Sequence, residues 1–306
     1  MNVRALGRYL LTIFILGFLF STIDIRLIYS HLKNINLLYY AIAGLVFVTV
    51  YLWAGLRWQI LLKTLDYSVS LKDSVKVISM SYGFNKILPL NSGDLTRPKL
   101  MERYTDIDNH GQILGIVAME RILDVILLGL VTIITTPFIL GNQLGLSSLT
   151  GALGLLLVSV YLLRYKSNLF LELINHLSKL GMPEKIAKLS RDSIRGFNQI
   201  STDGILEISV WHSLRWFTGF SVLYILSIAI GSPITIVEAS LITSLMSLVS
   251  ALPITPAGIG PVEAIGTSAL VILGLSSSQA AALVIVQRSL GMVLVALIGA
   301  LVYSFG

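Results

Sequence analysis

Cysteine is absent from the 306-residue chain, which excludes disulfides, thiolate metal sites and cysteine nucleophiles. Histidine occurs four times, scattered, and argues against a metal centre, so no cofactor or metal is expected. Charge is scarce too: 12% of residues are charged, against about 25% in soluble domains. No Gly-x-x-x-x-Gly-Lys-Ser/Thr phosphate loop occurs, which leaves a nucleotide-driven process without its binding motif. What fills the chain is apolar: 55% of residues are hydrophobic and the mean hydropathy is +0.84. Spans of about twenty residues are the length a bilayer requires. The composition therefore predicts an all-α polytopic membrane protein, a single unit over residues 1–306. The net charge of +6 reads as membrane orientation and anionic-lipid contact, not nucleic-acid binding, because the basic residues lie between apolar spans.

Six full crossings are legible. The first, an uncleaved anchor, runs from Tyr9 to Ile28 after Arg4 and Arg8, and the second from Leu37 to Leu56. Trp53, Arg57 and Trp58 close the second as interfacial anchors. Val125 to Leu163 carries no charge and is too long for one crossing; Gly141-Asn142-Gln143 supplies a turn between the third and fourth, the third beginning near Gly111. Glu207 to Ile230 is the fifth and Gln279 to Tyr303 the last. Residues 164–203 hold seven Lys/Arg against four acids, with Leu169, Leu173, Leu177 and Leu180 at amphipathic spacing, and read as a basic helix along the headgroups. The basic segments are separated by pairs of crossings, which predicts both termini on the cytoplasmic side of the plasma membrane.

Two segments do not fit as crossings. Val75 to Leu90 is short and apolar and ends in Leu88-Pro89, followed by Asn91-Ser92-Gly93-Asp94 and Arg97. Val237 to Leu252 ends in Leu252-Pro253, followed by Ile254-Thr255-Pro256-Ala257-Gly258-Ile259-Gly260-Pro261 and Glu263. Proline and glycine at this density break a through-going helix, and a polar return limb lies at membrane depth only when protein or water surrounds it. Both are read as re-entrant helical hairpins, with Pro89, Gly93, Pro253, Pro256, Gly258 and Gly260 forming the turns. About 32 residues after Pro89 comes Glu120-Arg121, and about 35 after Pro253 comes Gln287-Arg288, each within an apolar span. The three intervening crossings invert the second copy. The chain thus predicts an inverted repeat, residues 71–163 against 207–306, whose interrupted segments mark the binding site.

Ionisable residues inside a bilayer are expensive, about 2.5–3.5 kcal/mol on insertion scales, so they face the bundle interior and are paired or functional. Candidates are Asp94, Arg97, Glu120, Arg121, Asp124, Arg215, Glu263 and Arg288, with Asn85, Ser92 and Thr255 as polar partners. Arg121 and Asp124 stand three apart on one helix face, which predicts an intrahelical pair and leaves Glu120 for Arg215 or Arg288. Arginine's planar fork suits a phosphate-bearing headgroup. His212 is weighed as a titrating group and read as a hydrogen-bonded bystander; Glu207 and Glu238 are read as interfacial.

At Asn85-x-x-Leu88-Pro89, Gly93-Asp94-x-x-Arg97, Glu120-Arg121-x-x-Asp124, Leu252-Pro253-Ile254-Thr255-Pro256-Ala257-Gly258-Ile259-Gly260-x-x-Glu263 and Arg288, the chain resembles the membrane domain of the lysylphosphatidylglycerol synthase/flippase family. The resemblance covers essentially the whole chain in order. It departs from the family at Ala257, where the pattern looks like Pro-Gly-Gly, after Pro89, which lacks the Gly-Arg that often follows, and at Gly291, which replaces the acid of the second copy. It implies translocation of an anionic phospholipid or polyprenyl-phosphate-type lipid between leaflets. The alternatives are a lipid-modifying transferase, with Glu120, Asp124 or Asp94 as general base, and a small-solute or ion-coupled transporter. The expected partners are the bilayer and an anionic headgroup; a second copy of the chain or a separate lipid-synthesising enzyme is the candidate protein partner.

Overall fold

Local signals in the sequence account for several helix starts seen in the computed structural model, which describes residues 25–87, 89–140, 167–179, 202–251 and 258–304, with Thr255 and single positions between 184 and 194. These residues form α-helices and one 3₁₀ segment, with no strand among them. In order they are α1 (Ile25–Lys33), α2 (Leu37–Lys63), α3 (Leu71–Ile87), the 3₁₀ segment Pro89–Thr96, α4 (Arg97–Thr105), α5 (His110–Leu140), α6 (Ser167–Lys179), α7 (Thr202–Ala229), α8 (Ile236–Ala251), α9 (Pro261–Ile272) and α10 (Ser277–Ser304).

Asn36 caps α2 by accepting the Leu38 N–H at 3.0 Å. Thr235 and Glu238 cap α8 reciprocally, the Glu238 N–H donating to Thr235 Oγ1 at 3.2 Å and the Thr235 N–H to Glu238 Oε2 at 2.6 Å. Glu238, expected to be an idle interfacial acid, is therefore the cap of its helix. Ser276 and Gln279 do the same for α10, at 3.3 and 3.0 Å.

Two described helices, Leu37–Lys63 and Ser277–Gly299, are long and apolar enough to cross a membrane. On α10 the exposed Val293, Leu297 and Leu301 recur every fourth residue, and α2 exposes Leu45, Val48 and Leu52 at spacings of three and four. Apolar stripes of this kind, opposite a packed face, suit acyl chains. In contrast α8 and α9 have 16 and 12 residues, roughly 24 and 18 Å at 1.5 Å per residue, short of a hydrocarbon core of about 30 Å. The helices at 110–140 and 202–229 occupy the stretches where the third and fifth crossings are expected. Most of the first crossing, the Gly141-Asn142-Gln143 turn, the fourth crossing, and Pro253 and Pro256 lie outside the described residues.

Packing joins two apolar cores. One gathers Ala54, Trp58, Leu61, Ile78, Met101, Ile113 and Val117 from α2 to α5. The other gathers Leu223, Leu226, Ile242, Leu270, Leu283 and Val284 from α7 to α10, with Ala43 of α2. Helices α2 and α7 pack along one another and serve both cores, with Trp53 and Trp211 stacked at 5.7 Å between them. Two short helices each pack on a long one distant in sequence: α3 on α10 and α8 on α5. Two of the close approaches set how α2, α3 and the 3₁₀ segment meet. A Cβ on Gly55 would collide with Val75, and one on Gly93 with the backbone of Ser81 and Asn85, so these glycines set the α2–α3 contact and lay the 3₁₀ segment against α3.

Candidate functional site

The 3₁₀ segment ends where α4 begins, and Asp94 and Arg97 are thereby carried back onto α3. Asp94 Oδ1 accepts from Ser81 Oγ and Asn85 Nδ2, both at 3.0 Å, and from Arg97 Nη2 at 2.9 Å. Asn85 Oδ1 in turn accepts the Asp94 N–H at 3.1 Å. Arg97 Nε donates to Ser81 Oγ at 3.0 Å, Nη1 donates to Glu120, and the guanidinium lies 4.8 Å from the Trp58 ring centroid.

Helix α5 meets this assembly with one face. Glu120, Arg121 and Asp124 are three and four residues apart, hence side by side. Glu120 Oε1 accepts from Arg57 Nη2 at 2.8 Å while Oε2 accepts from Arg97. Arg121 Nε donates to Asp94 Oδ2 at 2.9 Å and Nη1 to Asp124 Oδ2 at 3.3 Å. Helix α7 adds His212, Arg215 and Trp216, again at i, i+3 and i+4. Trp216 Nε1 donates to Asp124 Oδ1 at 2.8 Å, and Arg215 Nη1 reaches the same oxygen at 3.5 Å. The Arg215 guanidinium stacks on the Trp216 ring at 4.5 Å and stands 5.8 Å from Tyr82. In the second half Glu263 has two tasks: Oε2 caps α9 by accepting the Gly260 N–H at 2.7 Å, and Oε1 pairs with Arg288 Nε at 2.6 Å.

Beside this network is a cavity of about 330 Å³, within the range that holds small ligands. Its walls come from α2, α3, α5, α7, α8, α9 and α10, including Tyr51, Tyr82, Asn85, Arg121, Arg215, Trp216, Gln287, Arg288 and Gly291. Among the described residues three arginines line it and no carboxylate does. The arginines divide by exposure: Arg121 is 46% exposed, Arg288 15% and Arg215 13%, whereas Arg57 and Arg97 are at 1%.

Most of the predicted residues come together, but their placement differs from expectation at four points. Arg121 does pair with Asp124. Glu120 is not left for Arg215 or Arg288; Arg57 and Arg97 take both its oxygens, because α2 and α4 reach that face of α5 before α7 and α10 do. Arg97 belongs to the buried floor and is not among the cavity lining. Arg57 is no interfacial anchor: α2 continues to Lys63 with Tyr51, Ala54, Trp58, Leu61 and Leu62 buried at helical spacing, which holds Arg57 inside. That stripe was the available signal for Arg57. His212, too, is buried, contacting Arg57 through Nδ1. Pro89 and Gly93 lie in the 3₁₀ segment after α3, and Gly258 and Gly260, just before α9, adopt φ of 68° and 95°, a region that favours glycine. Asp106 and Asp108, the chain's Asp-x-Asp, are exposed between α4 and α5 and away from the cavity lining; no cluster of three His, Cys, Asp or Glu placed to hold a metal occurs among the described residues.

A family model described as lysylphosphatidylglycerol synthase TM region matches residues 5–299. No curated protein matches the chain. No solved structure matches it either.

Proposed function

Because the chain belongs to the lysylphosphatidylglycerol synthase TM-region family, and so is a membrane protein of a lipid-related family, we propose that it translocates an anionic lipid between leaflets through the arginine-lined cavity. The observation that carries this reading is the lining itself: Arg121, Arg215 and Arg288 face a cavity that, among the described residues, has no carboxylate in its wall. Guanidinium forks bind phosphate oxygens in pairs, and the low-dielectric surroundings strengthen each contact. The headgroup would occupy this polar chamber while its tails stay in the bilayer between helices.

Six crossings with two re-entrant hairpins, arranged as an inverted repeat over residues 71–163 and 207–306, complete the proposal. Its support is the shortness of α8 and α9, the broken segment after α3, and the reciprocal packing of α3 on α10 and α8 on α5. Two halves related by inversion can expose one site to either leaflet in turn. Net exchange requires only that both end states bind the headgroup comparably. We place both termini and the basic segment 164–203 on the cytoplasmic side of the plasma membrane, following the distribution of Lys and Arg.

The test is leaflet exchange of a labelled anionic lipid in proteoliposomes. Arg121→Ala and Arg288→Ala should each abolish exchange while the protein still elutes as the folded species. Wild-type rates in both variants would refute the assignment. Formation of a modified lipid from a sugar nucleotide or aminoacyl-tRNA would instead favour a transferase.

A further inference from the structure

Charge does not cancel beside the cavity. Arg57, Arg97, Arg121 and Arg215 are joined by contacts of 3.6 Å or less to Asp94, Glu120 and Asp124. Four guanidinium groups thus face three carboxylates, and arginine stays protonated at any accessible pH. His212 leaves the balance unchanged. Arginine only donates, so the His212 Nδ1 that contacts Arg57 must accept, and the ring is neutral with its proton on Nε2. Glu263 and Arg288 offset one another. Among the described residues the network therefore carries one positive charge in excess.

Geometry decides where that excess emerges. Arg57 and Arg97 lie behind the wall, take both oxygens of Glu120, and reach Asp124 and Asp94 respectively. Asp124 Oδ1 is shared among Arg57, Trp216 and Arg215, and its contact with Arg215 is long, at 3.5 Å. Arg215 Nε is buried without a hydrogen-bond partner. The carboxylates are held from behind, and the unmatched charge is left on the side of Arg121 and Arg215.

We propose that the cavity is set for a ligand bearing one net negative charge, and that Arg57, a positioning residue walled off from the cavity, sets that number. The inference rests on the lipid-binding reading above and narrows it. A buried charge of either sign without its counterpart is costly, so the occupied site favours neutrality. A singly charged phosphodiester achieves this; a zwitterion leaves a positive charge over and a dianion a negative one.

Calorimetric titration of the purified full chain in detergent at pH 8 tests the idea with three dihexanoyl lipids. Phosphatidylglycerol carries one charge, phosphatidylcholine none net, and phosphatidic acid about two. Wild-type protein should bind phosphatidylglycerol at least about tenfold more tightly than either of the others, a difference of about 1.4 kcal/mol. Arg57→Gln should erase that preference. Glu120→Gln, which raises the excess to two, should shift it toward phosphatidic acid. The double variant Arg57→Gln/Glu120→Gln should restore the preference for phosphatidylglycerol, a recovery that a purely structural role for Arg57 does not provide. A folded double variant without recovery overturns the proposal, as does a wild-type protein that is indifferent to charge or prefers the dianion. Should the variants fail to fold, the wild-type series decides alone. Dimethyl phosphate, a free monoanion, separates the sources: competition assigns recognition to the phosphodiester itself, and its failure beside tight lipid binding assigns it to the whole lipid. Charge preference without leaflet exchange would sink the translocase reading and leave the tuning; exchange without charge preference would do the reverse.

Discussion

Glu120 is the residue on which the buried floor depends, since each of its oxygens satisfies a different arginine from a different helix. Removing one partner of a buried ion pair leaves the other charge uncompensated, at about 3–5 kcal/mol. Glu120→Leu strands two guanidinium groups, so the expected outcome is a loss of at least that size, measured as reduced resistance to thermal unfolding in detergent. Glu207, exposed on α7, is the contrast: Glu207→Gln should leave the melting temperature unchanged. Arg215 offers a subtler test. Lysine would retain its charge but not the flat face that lies on Trp216 at 4.5 Å. Arg215→Lys should therefore weaken headgroup binding by about 0.5–2 kcal/mol, and a titration showing wild-type affinity would mean that stacking plays no part.

Elements here are shaped by where the chain is interrupted. The 3₁₀ segment after α3 brings Asp94 and Arg97 under α5, and it fits because Gly93 has no side chain where the backbone of Ser81 and Asn85 passes. Gly93→Ala should lower the melting temperature and abolish leaflet exchange, since the collision is with backbone and not with a side chain able to turn aside. Gly129 in α5 has nothing within 4 Å of an added Cβ. Gly129→Ala should be neutral or stabilise by up to about 1 kcal/mol, the helix propensity difference. Equal behaviour of the two variants would show that the segment does not need its close approach.

At the scale of the whole molecule, the cavity exists because helices from both halves close around it, α3 and α5 from one and α8, α9 and α10 from the other. The absence of cysteine makes the proposed orientation directly measurable. Asn2→Cys, Lys179→Cys and Gly306→Cys, each introduced singly, should react with an impermeant thiol reagent from the same face of right-side-out or inverted vesicles. Labelling of Lys179→Cys from the face opposite to the other two would break the orientation and, with it, the assignment of the basic segment to the cytoplasmic surface.

Hydropathy, proline and glycine placement, and capping residues are local properties, and they sufficed to anticipate helices over 37–56, from near 111 and over 207–230, which the structure extends to 37–63, 110–140 and 202–229, together with the break after α3 and the family. The same local logic named Asp94, Arg97, Glu120, Arg121, Asp124, Arg215, Glu263 and Arg288 as candidates, with Asn85 as a polar partner, since an ion in an apolar span is conspicuous wherever it occurs. Which ion meets which was decided only in three dimensions. Arg57 and Glu120 are 63 positions apart, and Arg57 and His212 are 155 apart. Their meeting depends on how far α2, α5 and α7 are rotated about their axes. That rotation is fixed by the packing of Trp58, Ile113 and Val117 in one core and of Ala43, Leu223 and Leu226 in the other, contacts that no spacing along the chain encodes.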